Sequence, residues 1–138
     1  MTKKAHPVVL YVEDNPASRR IVRMLLQNRL KYEHVTIFQN SDDFEARVLA
    51  LEPIPDIIFL DIHLKPLDGF EMLKVLRGLA PFEKTKIVAL TASVMNNEVE
   101  QLRSAGFDGC FSKPIDLDTF EDNLHRALAG ENIWEIVG

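Results

Sequence analysis

Residues 8–12 read Val8-Val9-Leu10-Tyr11-Val12, an unbroken apolar run that stops against the acidic pair Glu13-Asp14. Polar and apolar residues do not alternate in it, so it does not fit a strand with one wet face. A short run rich in β-branched residues suits a strand covered on both faces, the habit of parallel sheets sandwiched between helices. The same pattern returns at Ile57–Leu60 (IIFL) and Ile87–Leu90 (IVAL). A weaker strand is expected over Val35–Phe38, nearer a sheet edge, and a fifth over Gly109–Ser112. Helical spacing fills the intervals, as in Ile21 and Leu25 with Val22 and Leu26, and in Leu117, Phe120, Leu124 and Leu128. Five β-α units predict an α/β fold, a doubly wound parallel sheet with helices on both faces.

The rest of the chain sets bounds on that reading. A length of 138 residues fits one domain, here expected as residues 1–138 with a core over about 7–129 and a tail over 131–138. The composition, 46% hydrophobic and 27% charged, is that of a globular chain, and its apolar runs are far shorter than a membrane span. A net charge of −5 without a Lys/Arg stripe argues against nucleic acid as partner. Met1-Thr2-Lys3-Lys4 opens no apolar signal region, and the single Cys110 has no disulfide partner, so a reducing cytoplasm is the expected location.

Asn15-Pro16 is expected to cap and open the first helix, with Ser41 and Asp116 capping the second and fifth. In a doubly wound sheet the ligand site lies beyond the carboxyl ends of the strands. Glu13 and Asp14 stand there after the first strand, Asp61 after the third, Thr91 after the fourth and Lys113 after the fifth. Three carboxylates gathered together repel one another and call for a cation, and hard oxygen ligands favour Mg²⁺.

This set resembles the response-regulator receiver domains of two-component signalling, over roughly Pro7 to Ala129. The resemblance rests on Glu13-Asp14, on Asp61 followed by Leu67-Asp68-Gly69, on Thr91-Ala92, and on Lys113-Pro114. It implies a flavodoxin-like strand order 2-1-3-4-5, a phosphoacceptor at Asp61, and Mg²⁺ held by Asp14, Asp61, the main-chain carbonyl of His63 and, through water, Glu13. It implies that Thr91, Ala92 and Lys113 bind the phosphoryl group and form the switch, that the Lys113-Pro114 bond is cis, and that His63 and Ser93 tune dephosphorylation. The implied partners are a sensor histidine kinase and either a downstream target or a histidine phosphotransfer protein, docked on the fourth helix, fifth strand and fifth helix; a homodimer is a further possibility. On this reading the chain is a stand-alone switch or a phosphorelay shuttle, and not an enzyme beyond its own phosphorylation and dephosphorylation.

Two departures stand out. The position three before the lysine, usually aromatic in the family, is Cys110, which has no ring to couple to Thr91; Phe111 is expected in the core instead. Pro66 lies one place later than usual in the loop after Asp61. Rival readings fit worse: an aspartyl-nucleophile phosphatase wants a second Asp where His63 stands, and the turn Glu13-Asp14-Asn15-Pro16 lacks the glycines of a phosphate-cradling cofactor binder. The final stretch, ENIWEIVG over 131–138, is too apolar to be idle: Trp134 either folds back on the domain or meets a partner.

Overall fold

The computed structural model describes residues 7–92 and 95–135. Five strands, β1 (Val8–Val12), β2 (His34–Phe38), β3 (Ile57–Asp61), β4 (Lys86–Thr91) and β5 (Gly109–Ser112), form one sheet in the order β2-β1-β3-β4-β5. Every pairing is parallel. Five α-helices connect and cover them: α1 (Pro16–Arg23), α2 (Phe44–Leu49), α3 (Gly69–Arg77), α4 (Asn96–Ala105) and α5 (Leu117–Leu128). A π-helical turn, Met24–Arg29, prolongs α1, and a 3₁₀ turn, Ala80–Phe82, follows α3.

β1 and β3 are buried along their whole length, which is why their sequences show no alternation. Successive residues nevertheless serve opposite faces. Leu10, Val12, Ile58, Leu60 and Ala89 pack with Met72, Leu73, Leu76, Val99 and Leu102 on the side of α3 and α4. Val9, Tyr11, Ile57, Phe59 and Leu90 pack with Val22, Leu25, Phe120 and Leu124 on the side of α1 and α5. Phe111 belongs to this second layer, 5.4 Å from both Phe59 and Phe120 between ring centroids. It is a core residue, as its place next to Cys110 predicts.

Of the three helix caps expected from the sequence, two are observed. The Asn15 side chain accepts from Ser18 N–H at 2.9 Å, and that of Asp116 from Thr119 N–H at 3.0 Å. Ser41 does not cap α2. Asp43 occupies that position in a left-handed conformation, φ 48°, without a side-chain cap. The buried Ser41 hydroxyl instead donates to Leu67 C=O and accepts from Leu67 N–H, both at 2.8 Å. It therefore pins the loop after β3 to the loop after β2. The turn into α2 is held by Arg47, whose guanidinium donates to Asn40 and to Asp42 C=O.

The tail returns to the body. Trp134 forms an isolated parallel bridge with Cys110, at the open edge of β5. Residues 136–138 lie outside the described residues.

Candidate phosphoryl and metal site

Parallel strands bring their carboxyl ends to one rim, and the polar residues singled out above collect there. Asp61 closes β3 and Thr91 closes β4; Glu13 and Asp14 follow β1, and Lys113 follows β5. One carboxylate oxygen from each of Glu13, Asp14 and Asp61 lies within 4.8 Å of the others. Glu13 and Asp61 are buried, whereas Asp14 is exposed at the mouth.

Glu13 is the most constrained of the three. Its Oε1 accepts from Tyr11 Oη at 2.8 Å and meets Lys113 Nζ at 2.6 Å, while Oε2 accepts from Asn15 N–H at 3.2 Å. Arg19 donates to the Glu13 main-chain carbonyl at 3.0 Å. Burial first, and then the adjoining Asp61 carboxylate, push the Glu13 carboxyl above the usual carboxylate range, against the opposing pull of Lys113 and Tyr11. Tyr11 itself is raised, by burial and by the Glu13 charge.

Asp61 Oδ1 accepts from His63 N–H at 3.0 Å, and Oδ2 lies 3.5 Å from Lys113 Nζ. The lysine thus sits closer to Glu13 than to Asp61. Its main-chain N–H donates to Thr91 C=O at 2.9 Å, which ties the rim of β5 to that of β4. The Lys113-Pro114 peptide bond is cis. Thr91 is buried and Ala92 exposed beside it; Ser93 lies outside the described residues. The His63 side chain is exposed.

The loop that carries His63 depends on a glycine. A Cβ on Gly69 would lie 2.9 Å from Ile62 Cα and 3.1 Å from Asp61 O, so no side chain fits where α3 begins against the end of β3. Asp68 caps that helix in a reciprocal box with Glu71. The Leu67-Asp68-Gly69 stretch therefore holds the loop close to Asp61.

Chemically, the buried Glu13 and Asp61 carboxylates share the Lys113 ammonium, and the exposed Asp14 brings a third carboxylate to the mouth. Excess negative charge at this spacing, with all donors oxygen, suits a divalent cation of Mg²⁺ type.

A model of the response regulator receiver domain matches residues 9–125. The chain belongs to the response-regulator receiver family. The nitrate/nitrite response regulator protein homolog of Haemophilus influenzae is 34% identical over 125 residues, 91% of this chain; this chain spans 58% of that protein's length. The polar-differentiation response regulator DivK of Brucella ovis is 31% identical over 120 residues, 87% of this chain and 94% of DivK. Among solved structures, the receiver domain of the sensor histidine kinase PA1611 from Pseudomonas aeruginosa superposes with a TM-score of 0.77 at 25% identity. That match covers 91% of this chain and all of the other, whose structure has a magnesium ion coordinated in the active site cleft. Receiver domains are signalling switches that bind Mg²⁺ at an acidic site, and the Glu13, Asp14 and Asp61 cluster fits one. No helix among the described residues is long and apolar enough to cross a membrane.

Tyr11 is the site residue that the strand pattern hid. It reads as one more apolar-bodied residue of VVLYV, yet residues two apart on a strand share a face, so its hydroxyl reaches Glu13. A tyrosine two places before a rim carboxylate was the available signal.

Proposed function

We propose that Asp61 accepts a phosphoryl group from the phosphohistidine of a sensor kinase, and that the chain works as a single-domain cytoplasmic switch that signals through protein contacts. The observation that carries this reading is the Asp61 carboxylate, buried at the end of β3 beside two further carboxylates and within 3.5 Å of an ammonium.

In the transfer, an Asp61 oxygen attacks phosphorus as the P–N bond of the donor breaks, leaving its electron pair on the imidazole, which takes a proton. His63 N–H holds Oδ1, which leaves Oδ2 to face the incoming group. Asp14, Asp61, the His63 main-chain carbonyl and, through water, Glu13 would hold the metal. When bound, a divalent cation neutralises charge on the transferred phosphoryl oxygens. Lys113 supplies a second positive charge. Its present contact with Glu13 gives it somewhere to move from, since a dianionic acyl phosphate on Asp61 outbids a single carboxylate. The Thr91 hydroxyl and Ala92 N–H would bind the remaining oxygens, and their movement would reset the segment between β4 and α4. His63 and Ser93 would tune access of the hydrolytic water.

The test is incubation with acetyl phosphate, with and without Mg²⁺, resolved by intact mass. Wild type should gain one phosphoryl group only with Mg²⁺, and Asp61→Asn none. Equal gain by Asp61→Asn would overturn the assignment. Adding a histidine phosphotransfer protein to the phosphorylated chain separates an output switch from a shuttle, which would pass the group on.

A further inference from the structure

Four polar residues in a row, Asn40-Ser41-Asp42-Asp43, lie between β2 and α2, yet Ser41 within that turn is only 1% exposed. The turn is fixed on both sides of it. Phe38 C=O, where β2 ends, accepts from Glu13 N–H at 3.0 Å, so the main chain of the buried rim carboxylate is tied to the start of the turn. Farther on, the Arg47 guanidinium donates to Asn40 C=O at 3.2 Å, to Asn40 Oδ1 at 2.9 Å and to Asp42 C=O at 2.8 Å, and it lies 4.0 Å from the centroid of the Phe38 ring. Asp42 N–H donates to Asn40 Oδ1 at 3.0 Å. A planar donor set stacked on an aromatic ring leaves such a turn little freedom.

The neighbouring loop, residues 62–68 between β3 and α3, carries the His63 carbonyl. Its base is closed by Gly69 N–H donating to Ile62 C=O at 3.1 Å and by His63 N–H donating to Asp61 Oδ1 at 3.0 Å. Its far end is held from the turn. The Ser41 hydroxyl takes both main-chain groups of Leu67, donating to one and accepting from the other. A hydroxyl can do both within one short side chain, which alanine cannot. The turn thus stands between two segments that reach the acidic cluster, Glu13 on one side and the loop from Asp61 on the other.

We propose that Ser41 is a positioning residue for the metal site: its hydroxyl transfers the fixed geometry of the turn 40–42 to the loop 62–68 and so sets where the His63 main-chain carbonyl stands. The inference rests on the metal-holding role given above to Asp61 and the His63 carbonyl. Groups that orient metal ligands from outside carry about 10–100-fold in metal affinity, and Ser41, acting through a loop, belongs at the low end of that range.

Calorimetric titration of the full-length chain with MgCl₂, without any phosphodonor, tests it under conditions where circular dichroism shows each variant folded. Ser41→Ala should bind Mg²⁺ about tenfold more weakly than wild type. Thr85→Val is the control. Thr85 is also buried and donates its hydroxyl to Pro55 C=O at 2.8 Å, but at the amino ends of the strands, so this variant loses a bond of the same kind and should keep the wild-type affinity. Amide exchange over residues 62–68 should quicken in Ser41→Ala and not in Thr85→Val. Wild-type Mg²⁺ affinity in Ser41→Ala, or unchanged exchange over 62–68, overturns the inference and leaves the proposed function standing. Equal weakening by Thr85→Val overturns it too, by showing that a general loss of stability suffices. A wild type that binds no Mg²⁺ overturns both. If Ser41→Ala fails to fold, Arg47→Met, which keeps an apolar stem over Phe38 without the guanidinium, takes its place, with weaker Mg²⁺ binding expected and wild-type affinity as the refutation.

Discussion

Replacing Lys113 with alanine tests whether the site is held together by charge. The ammonium is the one cation in contact with both Glu13 and Asp61 among the described residues, and it is 19% exposed against 0% for the Glu13 side chain. Its removal leaves the carboxylate cluster uncompensated. Two unit charges about 4 Å apart at an effective dielectric constant of about 20 interact by roughly 4 kcal/mol. Breaking one side of a buried pair costs about 3–5 kcal/mol. Glu13 limits the loss by taking a proton, which its raised carboxyl already favours. For Lys113→Ala without metal we therefore expect a loss of about 3 kcal/mol at pH 8, equivalent to a midpoint about 10 °C lower. At pH 5 the loss should be smaller, because the raised Glu13 carboxyl gives up its charge more readily as pH falls. Urea unfolding followed by circular dichroism at the two pH values, each with and without Mg²⁺, measures this directly. Mg²⁺ should recover most of the loss at pH 8. Equal destabilisation at both pH values, with no recovery by Mg²⁺, would refute the charge argument and leave Lys113 a packing residue.

Further outcomes follow from the same geometry. Relative to Glu13→Gln, the metal-free wild type should gain stability as pH falls toward the ordinary carboxylate range. The folded Glu13 carboxyl is raised, so the folded state holds its proton longer than the unfolded chain, and stability falls as pH rises through the raised value; a thermal melt series without Mg²⁺ checks this, and saturating Mg²⁺ should flatten it. Tyr11→Phe removes a hydrogen bond to a buried charge and should cost about 1.5–3 kcal/mol, with weaker Mg²⁺ dependence of phosphorylation as the readout that packing alone would not change. Gly69→Ala forces a Cβ against the main chain of Ile62 and Asp61; it should cost about 1–3 kcal/mol in urea unfolding and slow acetyl phosphate turnover, whereas Gly78→Ala, at an open helix end, should do neither.

The sheet was legible in the sequence because parallel strands leave an uninterrupted apolar signature, and VVLYV, IIFL and IVAL carry it. The rim followed from that, since the residue after each such run must lie at a carboxyl end. Side-chain service was harder to read. Ser41 looks like a helix cap because Ser before a helix usually is one, but its hydroxyl is captured by a loop 26 residues away in sequence, a contact that no local pattern encodes. Tyr11 was concealed by its ring, which satisfies the apolar pattern while its hydroxyl serves Glu13. Cys110 was recognised as a departure, but not that its main chain would pair with the segment around Trp134 from the far end of the chain. Local chemistry marks where a side chain is unusual, and only the fold names its partner.

The central claim is that Asp61 carries the phosphoryl group. Reduction of the acetyl phosphate-treated chain with borohydride converts an aspartyl phosphate to homoserine, which peptide sequencing by mass spectrometry locates. The account predicts homoserine at position 61, dependent on Mg²⁺, with none at Asp14 and no 5-hydroxynorvaline at Glu13. Homoserine at another acidic residue, or none at position 61 in a chain that has gained phosphoryl mass, would contradict it.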